Sequence, residues 1–272
     1  MGTVLAGMLV VGVSVFVAIL GLAVVRRLVP PETCVENHDV AGFISAILGA
    51  AYAVMLAFVV VLVWQQFDAA EQISQGEANA VGDVYHIAGA THDAQGRAIQ
   101  DAAIGYSKSV IADEWPAMAN FKGSPKTEQA LELMWDRTLD FTQSHPTANT
   151  VIRQHLLGQM VKVDDGRTLR LLAARSSVHP ILWIVLIVGG LLTITFTYFF
   201  GLKSFRAQAV MTGVLTLMIS GTLFTVAAID HPFSGDVSVQ SDAFEFNLEH
   251  LGSELAHQPA RQSSSMGLQR RR

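Results

Sequence analysis

Charged residues are scarce in this chain of 272 residues. Only 15% are Asp, Glu, Lys or Arg, whereas roughly a quarter are charged in a soluble domain. Four stretches contain none of these residues and no histidine, namely 3–25, 40–67, 180–202 and 207–229. Each is at least as long as the roughly 20 apolar residues that cross a bilayer. The shortage of charge therefore excludes a soluble enzyme and a disordered protein, and it predicts an integral membrane protein with four spans.

Cysteine and clustered basic charge are missing as well. The single cysteine, Cys34, cannot form an internal disulfide, which excludes a disulfide-stabilised scaffold. The net charge of -5, without any basic stripe, argues against nucleic acid as a partner. No basic residue precedes the first apolar stretch, and Arg26 and Arg27 follow it. We therefore expect a retained helix rather than a signal peptide.

The sequence also lacks the motifs of a catalytic site. It has no glycine-rich phosphate loop, and none of its nine histidines forms an HxxxH or HExxH pair. Asp164-Asp165-Gly166 is first of all typical of a turn. The spans carry no ionisable residue, which argues against a proton pump or a voltage sensor. We therefore expect neither an enzyme nor a bound cofactor.

The apolar stretches are arranged as two spans, a long polar segment, two further spans and a tail. Short loops within each pair place both termini and the central segment on one side of the membrane. The Lys and Arg residues near the spans number four on each side, so the positive-inside rule leaves the orientation open. The predicted divisions are the first span with its loop (1–39), the second span (40–67), a helical extramembrane domain (68–179), spans three and four (180–229), a docked tail (230–256) and a disordered C-terminus (257–272).

The central segment is rich in helix-forming residues and has no alternating β-branched runs, which predicts an all-α fold. The second span is expected to continue without a break to Val84. A helix is predicted over 93–113, ending near Trp115-Pro116, and another begins at Pro125 with Ser124 as its N-cap. A last helix is predicted over 150–175, interrupted at Asp164-Asp165-Gly166.

Small residues recur on one face of the second span at three- and four-residue spacing. Such a face lets neighbouring helix backbones approach closely. One interpretation is helix packing within a single subunit, which is the more common use of such a stripe. The other is packing around a subunit axis, with the second span lining a pore. The residues of this face are Gly42, Ala46, Gly49, Ala50, Ala53 and Ala57.

Three groups of short segments resemble the bacterial bestrophin-like family, and the likeness covers 40–248. The first group is 49–58 with 64–68 and Glu77. The second is Glu114-Trp115-Pro116, and the third is 230–235, which includes Pro232, Phe233 and Gly235. This family is in turn similar to bestrophins, which have the same order of two spans, helical domain, two spans and tail. The resemblance thus implies a bestrophin-like fold.

The resemblance also implies a homopentamer in the bacterial inner membrane, with the central domain in the cytoplasm and the second spans around an ion pore. Bestrophins gate with bulky apolar residues at four-residue spacing on that helix. The nearest candidates here are Tyr52, Leu56, Val59, Val60 and Val63. Bestrophins of higher organisms bind calcium through acidic residues after Pro-Phe. The corresponding, more dispersed metal candidates are Asp230, Asp236, Asp242 and Glu245.

The resulting hypothesis is a passive, oligomeric ion channel that conducts anions such as chloride, with a cation-selective channel as the alternative within this class. A hypothesis from a different class is a non-conducting membrane scaffold or sensor whose helical domain binds a partner. A pore along the subunit axis would favour the first, and a sealed axis would favour the second.

Overall fold

The computed structural model describes residues 2–28, 38–144, 150–200 and 204–251. The described residues form helices and connecting turns, without a strand, which confirms the predicted all-α fold. The helices are α1 (Gly2–Leu28), α2 (His38–Gly89), α3 (Ala94–Ser109), α4 (Trp115–Met118), α5 (Pro125–Ser144), α6 (Thr150–Arg175), α7 (Pro180–Phe196), α8 (Phe205–Ile229) and α9 (242–251). The predicted disorder of 257–272, the loop that contains Cys34 and the turn before Ser204 lie outside the described residues.

The chain divides into two compact units. The membrane unit comprises Met1–Phe67 and Ser176–Ser238, and the helical unit comprises Asp68–Arg175 and Val239–Arg272, described as far as Leu251. Helix α2 contributes its first part to the membrane unit and its second part to the helical unit. The segment predicted as a docked tail is likewise shared, since 230–238 belongs to the membrane unit and 239–251 to the helical unit.

Four helical stretches are long and apolar enough to cross a membrane, as the sequence predicted. In the membrane unit, α1 packs along α8. Two apolar clusters hold this unit together. One is centred on Ala18, Tyr52, Ile194 and Ile219, and the other on Val59, Val63, Val178, Leu186 and Val226.

The helical unit has its own core, to which the second part of α2 and helices α3, α5, α6 and α9 all contribute. Its largest fully buried apolar side chains are Tyr85, Tyr106, Phe141, Phe244, Ile99, Met134, Leu156 and Met160. The helix ends are where the sequence places them. The Asp93 carboxylate accepts the backbone N–H of Gly96 at 2.6 Å, and Ser124 precedes Pro125 at the start of α5.

Two local predictions are wrong. Helix α6 runs through Asp164-Asp165-Gly166 without an interruption, because Gly166 is a packing glycine and not a turn. A Cβ atom on Gly166 would lie 2.8 Å from the Cβ of Glu77, so only glycine permits this approach of α6 to α2. The helix that begins at α3 also does not break before Pro116 as predicted, since Trp115 keeps a helical conformation, and it ends at Met118, two residues beyond Pro116. It passes through a π-helical turn, Val110–Glu114, and continues as α4.

Candidate functional site

One side of the membrane part of α2 is not covered by any other residue that the structure describes. Large apolar side chains on this side are more than half exposed, which is unusual unless lipid or another protein covers them. The four-pass fold supplies that environment, since the solvent around these helices is hydrocarbon. The exposed residues are Phe43, Ile47, Val54, Phe58, Val61 and Trp64.

The predicted gate residues are mostly on the opposite side of α2. Tyr52, Val59 and Val63 are buried inside the chain, with 5%, 6% and 0% of their surface exposed. Leu56 and Val60 are partly buried against the same clusters. A side chain that is packed against its own subunit has no surface left for a subunit axis. The structure therefore argues against Tyr52, Val59 and Val63 as pore-lining residues, whereas Leu56 and Val60 keep part of their surface exposed.

Tyr52 has a specific packing role. Its ring lies against two successive glycines of α7, since a Cβ on Gly189 would be 2.8 Å from Tyr52 Cδ2 and a Cβ on Gly190 would be 3.0 Å from the hydroxyl oxygen. The absence of a side chain at both positions therefore lets the Tyr52 ring pack between α2 and α7. The periodicity of α2 could not reveal this role, because the partner glycines lie far away along the chain.

Bulky residues at four-residue spacing do occur on the uncovered side of α2. They are Val54, Phe58 and Leu62, of which 56%, 72% and 38% are exposed. The four alanines of the small-residue face are exposed as well, whereas Gly42 and Gly49 are half-buried. Packing within the chain therefore does not use these alanines, which are Ala46, Ala50, Ala53 and Ala57.

A second feature, the Arg170 cluster, lies in the helical unit and consists of Arg170, Arg167, Glu77 and Glu114. Arg170, Glu77 and Glu114 have fully buried side chains. Arg170 Nε donates to Glu77 Oε2 at 2.7 Å, and Arg170 Nη2 donates to Glu114 Oε2 at 2.8 Å. Arg167 Nη2 donates to Glu114 Oε1 at 2.8 Å. Two positive and two negative groups thus neutralise one another inside the core.

Three aromatic side chains complete the surroundings of Arg170. The Tyr106 hydroxyl donates to Glu77 Oε1 at 2.6 Å. The guanidinium carbon of Arg170 lies 5.2 Å from the ring centroid of Trp115 and 5.8 Å from that of Phe244. Both distances are in the range of cation–π contacts. Arg170 therefore joins α2, α4, α6 and the tail helix α9 at one buried point.

Electrostatics stabilise the charged form of this cluster. Burial alone would raise the pKa of Glu114, but hydrogen bonds and positive charge from Arg167 and Arg170 outweigh it and hold that pKa below its ordinary value. Burial, the negative charge of Glu77 and the hydrogen bond to Glu77 raise the pKa of Tyr106 well above its ordinary value. Tyr106 therefore stays a neutral donor to Glu77.

Sequence reasoning found only part of this cluster. Glu77, Glu114 and Trp115 belong to the segments that resemble a known family, whereas Arg167 and Arg170 enter the sequence analysis only among the four Lys and Arg residues before the third span. Their spacing of three residues places both on one face of α6, which is the signal that could have found them. Which carboxylates they meet is decided by contacts between distant segments.

The acidic residues considered as metal ligands mostly have other partners. Asp230 accepts the backbone N–H of Val178 at 2.7 Å and the indole N–H of Trp183 at 3.3 Å. Asp236 accepts the backbone N–H of Thr3 at 3.0 Å. Within the part of the chain that the structure describes, no group of three or more His, Cys, Asp or Glu side chains is arranged to hold a metal ion. The geometry therefore does not fit a calcium site built from Asp230 and its neighbours.

The remaining residues of the 230–235 segment shape a turn. Phe233 is buried, with 4% of its surface exposed, and Gly235 adopts a φ of 88°, a left-handed conformation that favours glycine. In the helical unit, the Ser241 hydroxyl donates to Glu245. Pro232, Phe233 and Gly235 thus shape the turn that follows α8.

Comparison with known proteins points to one family. A family model described as a bestrophin-like domain matches residues 12–244. The chain is similar to the crystal structure of a bacterial bestrophin homologue from Klebsiella pneumoniae, with a TM-score of 0.65 and 13% identity over 88% of this chain and 97% of that one. A variant of that homologue gives a TM-score of 0.68 at 12% identity, covering 89% and 96%. None of the curated proteins matches the sequence.

Proposed function

The chain belongs to the bestrophin-like family, and from this premise we propose that it is a passive ion channel in which copies of α2 surround a pore. The observation that carries the proposal is the uncovered apolar side of α2 within a membrane-spanning segment. We further propose a homo-oligomer, a pentamer as in bestrophins, in the inner membrane of a bacterium with the helical unit in the cytoplasm. In this arrangement the exposed alanines of α2 would let neighbouring copies approach.

Within this proposal the constriction is formed by Val54, Phe58 and Leu62. These three side chains combine bulk, exposure and four-residue spacing on the same helix. Apolar rings of this kind gate a pore by excluding water. They replace the five residues proposed from sequence alone, because the chain itself covers three of those five.

The test is ion flux into liposomes that contain the purified full-length chain. Phe58→Ala is expected to raise the flux several-fold, because it widens the narrowest apolar ring. Val59→Ala is the matched control: it also shortens an apolar side chain of α2, but Val59 is buried against α7 and α8. The control should lower stability and leave flux per folded oligomer unchanged. Equal flux in Phe58→Ala and the unaltered protein would contradict the proposed constriction, and flux no greater than in empty liposomes would contradict the channel itself.

The charge on α2 favours cations over the chloride that the resemblance implies. Helix α2 contains no Lys or Arg. Its carboxylates Asp68, Glu71 and Asp83 are exposed. Gln72 donates to Asp68 at 2.7 Å, and Gln75 donates to Glu71. These amide hydrogen bonds leave the negative charge of both carboxylates in place. Asp83 lies close to seven helical turns after Phe58 and so on the same side of α2, where copies of the helix around an axis would present a ring of negative charge to the ion path.

Selectivity is measured from reversal potentials in a salt gradient across a planar bilayer. If cations permeate, the triple variant Asp68→Asn, Glu71→Gln, Asp83→Asn should lower the cation-to-anion permeability ratio several-fold. Asp101→Asn on α3 removes an exposed carboxylate from a different helix and serves as the control. A reversal potential at the chloride equilibrium value would instead support anion conduction.

A further inference from the structure

A cavity of about 330 Å³ lies inside the membrane unit, between α1, α7 with its 3₁₀ turn, and α8. It exists because α1 packs along α8 but meets α7 at only a few positions. We name it the lateral cavity. The residues that line it contain no charged side chain, and the lining is predominantly aliphatic. Such a space in a membrane-spanning region suits an uncharged, apolar occupant.

The hydroxyl groups of Ser14, Thr216 and Ser220 in the lining already have acceptors within their own helices and need no polar ligand. Ser14 donates to Val10 O at 2.8 Å, Thr216 donates to Thr212 O at 2.8 Å and Ser220 donates to Thr216 O at 2.7 Å. Each proton is therefore used within its own helix. Water, which needs two to four polar partners, would find few of them here.

The cavity is long and narrow. Its lining on the α7 side extends from Ile187 to Tyr198, which is about 16 Å at 1.5 Å per residue. A helix of about 10 Å diameter and the same length would fill roughly 1,300 Å³, several times the cavity volume of about 330 Å³. The dimensions fit one extended hydrocarbon chain and exclude a helix from a second copy.

Polarity changes along the length of the cavity. One end is formed by Tyr198 in the turn Thr197–Phe199 and by the exposed Thr195, at the end of the α7 span. The other end is aliphatic, with Ile187 and Leu223. Tyrosines at span ends lie at the level of the lipid headgroups, where a phenol can donate to an ester carbonyl. The gradient therefore matches a lipid whose carbonyl end is next to Tyr198.

We propose that the lateral cavity binds one acyl chain of a membrane phospholipid, with its ester end at Tyr198 and its methyl end near Ile187 and Leu223. Glycine at position 190 lets α7 approach α8 beside this space, since a Cβ there would lie 3.1 Å from Ile219 Cγ2. The lipid acts as a filler between α1 and α7. This inference concerns the membrane unit and does not depend on ion conduction.

The first test uses the unaltered full-length chain in phosphatidylglycerol vesicles that contain a photoreactive phospholipid. One probe carries a diazirine near the ester, and the other carries it near the terminal methyl. We expect the first to label Thr195 and Tyr198 and the second to label Ile187 and Leu223, as read by mass spectrometry of peptides. Labelling spread evenly over lipid-exposed residues such as Phe16 and Val210 would overturn the proposal. The same holds for the reverse order of the two probes.

The second test fills the cavity. Ser220→Phe should lower labelling at Ile187 and Leu223 at least fivefold. Thr225→Phe is the matched control, since Thr225 is an exposed residue of α8 that donates to Gly221 O and does not line the cavity. The control should leave labelling unchanged at equal helical content. Unchanged labelling in a folded Ser220→Phe variant would overturn the proposal, and so would cross-links at these residues to another copy of the chain instead of lipid. If Ser220→Phe does not fold, the two-probe experiment decides.

Discussion

Gly166 of α6 lies directly against Glu77 of α2. A Cβ on Gly166 would be 2.8 Å from the Cβ of Glu77 and 3.2 Å from its Cα. The missing side chain lets the two helix backbones approach, and one turn later on α6 Arg170 reaches the same carboxylate at 2.7 Å. Close helix packing and the buried ion pair therefore depend on one another.

Gly166→Ala is expected to destabilise the helical unit by about 1–3 kcal/mol, because the added methyl group must push α6 away from a backbone atom. The matched control is Gly158→Ala in the same helix, where a Cβ meets nothing within 4 Å. The control should stabilise the helix by up to about 1 kcal/mol, since alanine has the higher helix propensity. Thermal unfolding followed by circular dichroism in detergent measures both. A stabilised Gly166→Ala protein would contradict the close approach.

Arg170→Ala should cost about 3–5 kcal/mol, because it leaves the carboxylates of Glu77 and Glu114 buried with less compensating charge. Lys126→Ala removes a cation from the surface pair with Asp113, in which the Lys126 side chain is 76% exposed. That control should cost at most about 1 kcal/mol. Denaturant unfolding of the two variants gives the comparison, and similar small losses for both would refute the importance of the buried cluster.

Acid should weaken the helical unit through Glu114. The cluster holds the pKa of Glu114 below its ordinary 4.5. A depressed folded-state pKa gives stability that is present above the unfolded value and is lost as the pH falls through the folded value. We expect the midpoint temperature of thermal unfolding to fall as the pH is lowered below 4.5. The fall should be steeper in the unaltered protein than in Glu114→Gln.

A control for that experiment is Glu132→Gln, which alters an exposed carboxylate of α5. It should retain the steep acid response of the unaltered protein. An equally steep response in Glu114→Gln would show that another group is responsible.

The tail helix α9 should be held mainly by Phe244. This ring is fully buried and contacts Trp115 at a centroid distance of 5.9 Å. Phe244→Ala is expected to cost about 3–5 kcal/mol and to accelerate hydrogen exchange in 242–251. Phe246→Ala is the control two residues away, where the ring is 70% exposed, and its effect should be at most about 1 kcal/mol. Slow exchange in Phe244→Ala would mean that other contacts dock the tail.

The number and order of the spans could be predicted from the sequence, because uncharged stretches of bilayer length have few alternatives. Helix starts such as those after Asp93 and Ser124 were also predictable, since a cap depends on neighbouring residues only. The interruption at Asp164-Asp165-Gly166 was predicted wrongly. A glycine that ends a helix and a glycine that lets two helices touch are identical in sequence, and only the contact with Glu77 distinguishes them.

The sequence by itself determined a four-pass, all-helical membrane protein of the bestrophin-like family, because hydrophobicity and helix capping are local properties of the chain. Tertiary structure decided which side of α2 is covered by its own subunit, so that Tyr52, Val59 and Val63 are core residues while Phe58 is exposed. It also decided that Arg170 meets Glu77, which lies 93 residues earlier in the chain. Both outcomes depend on which distant segments pack together, and the apolar pattern of a single helix carries no information about its neighbours.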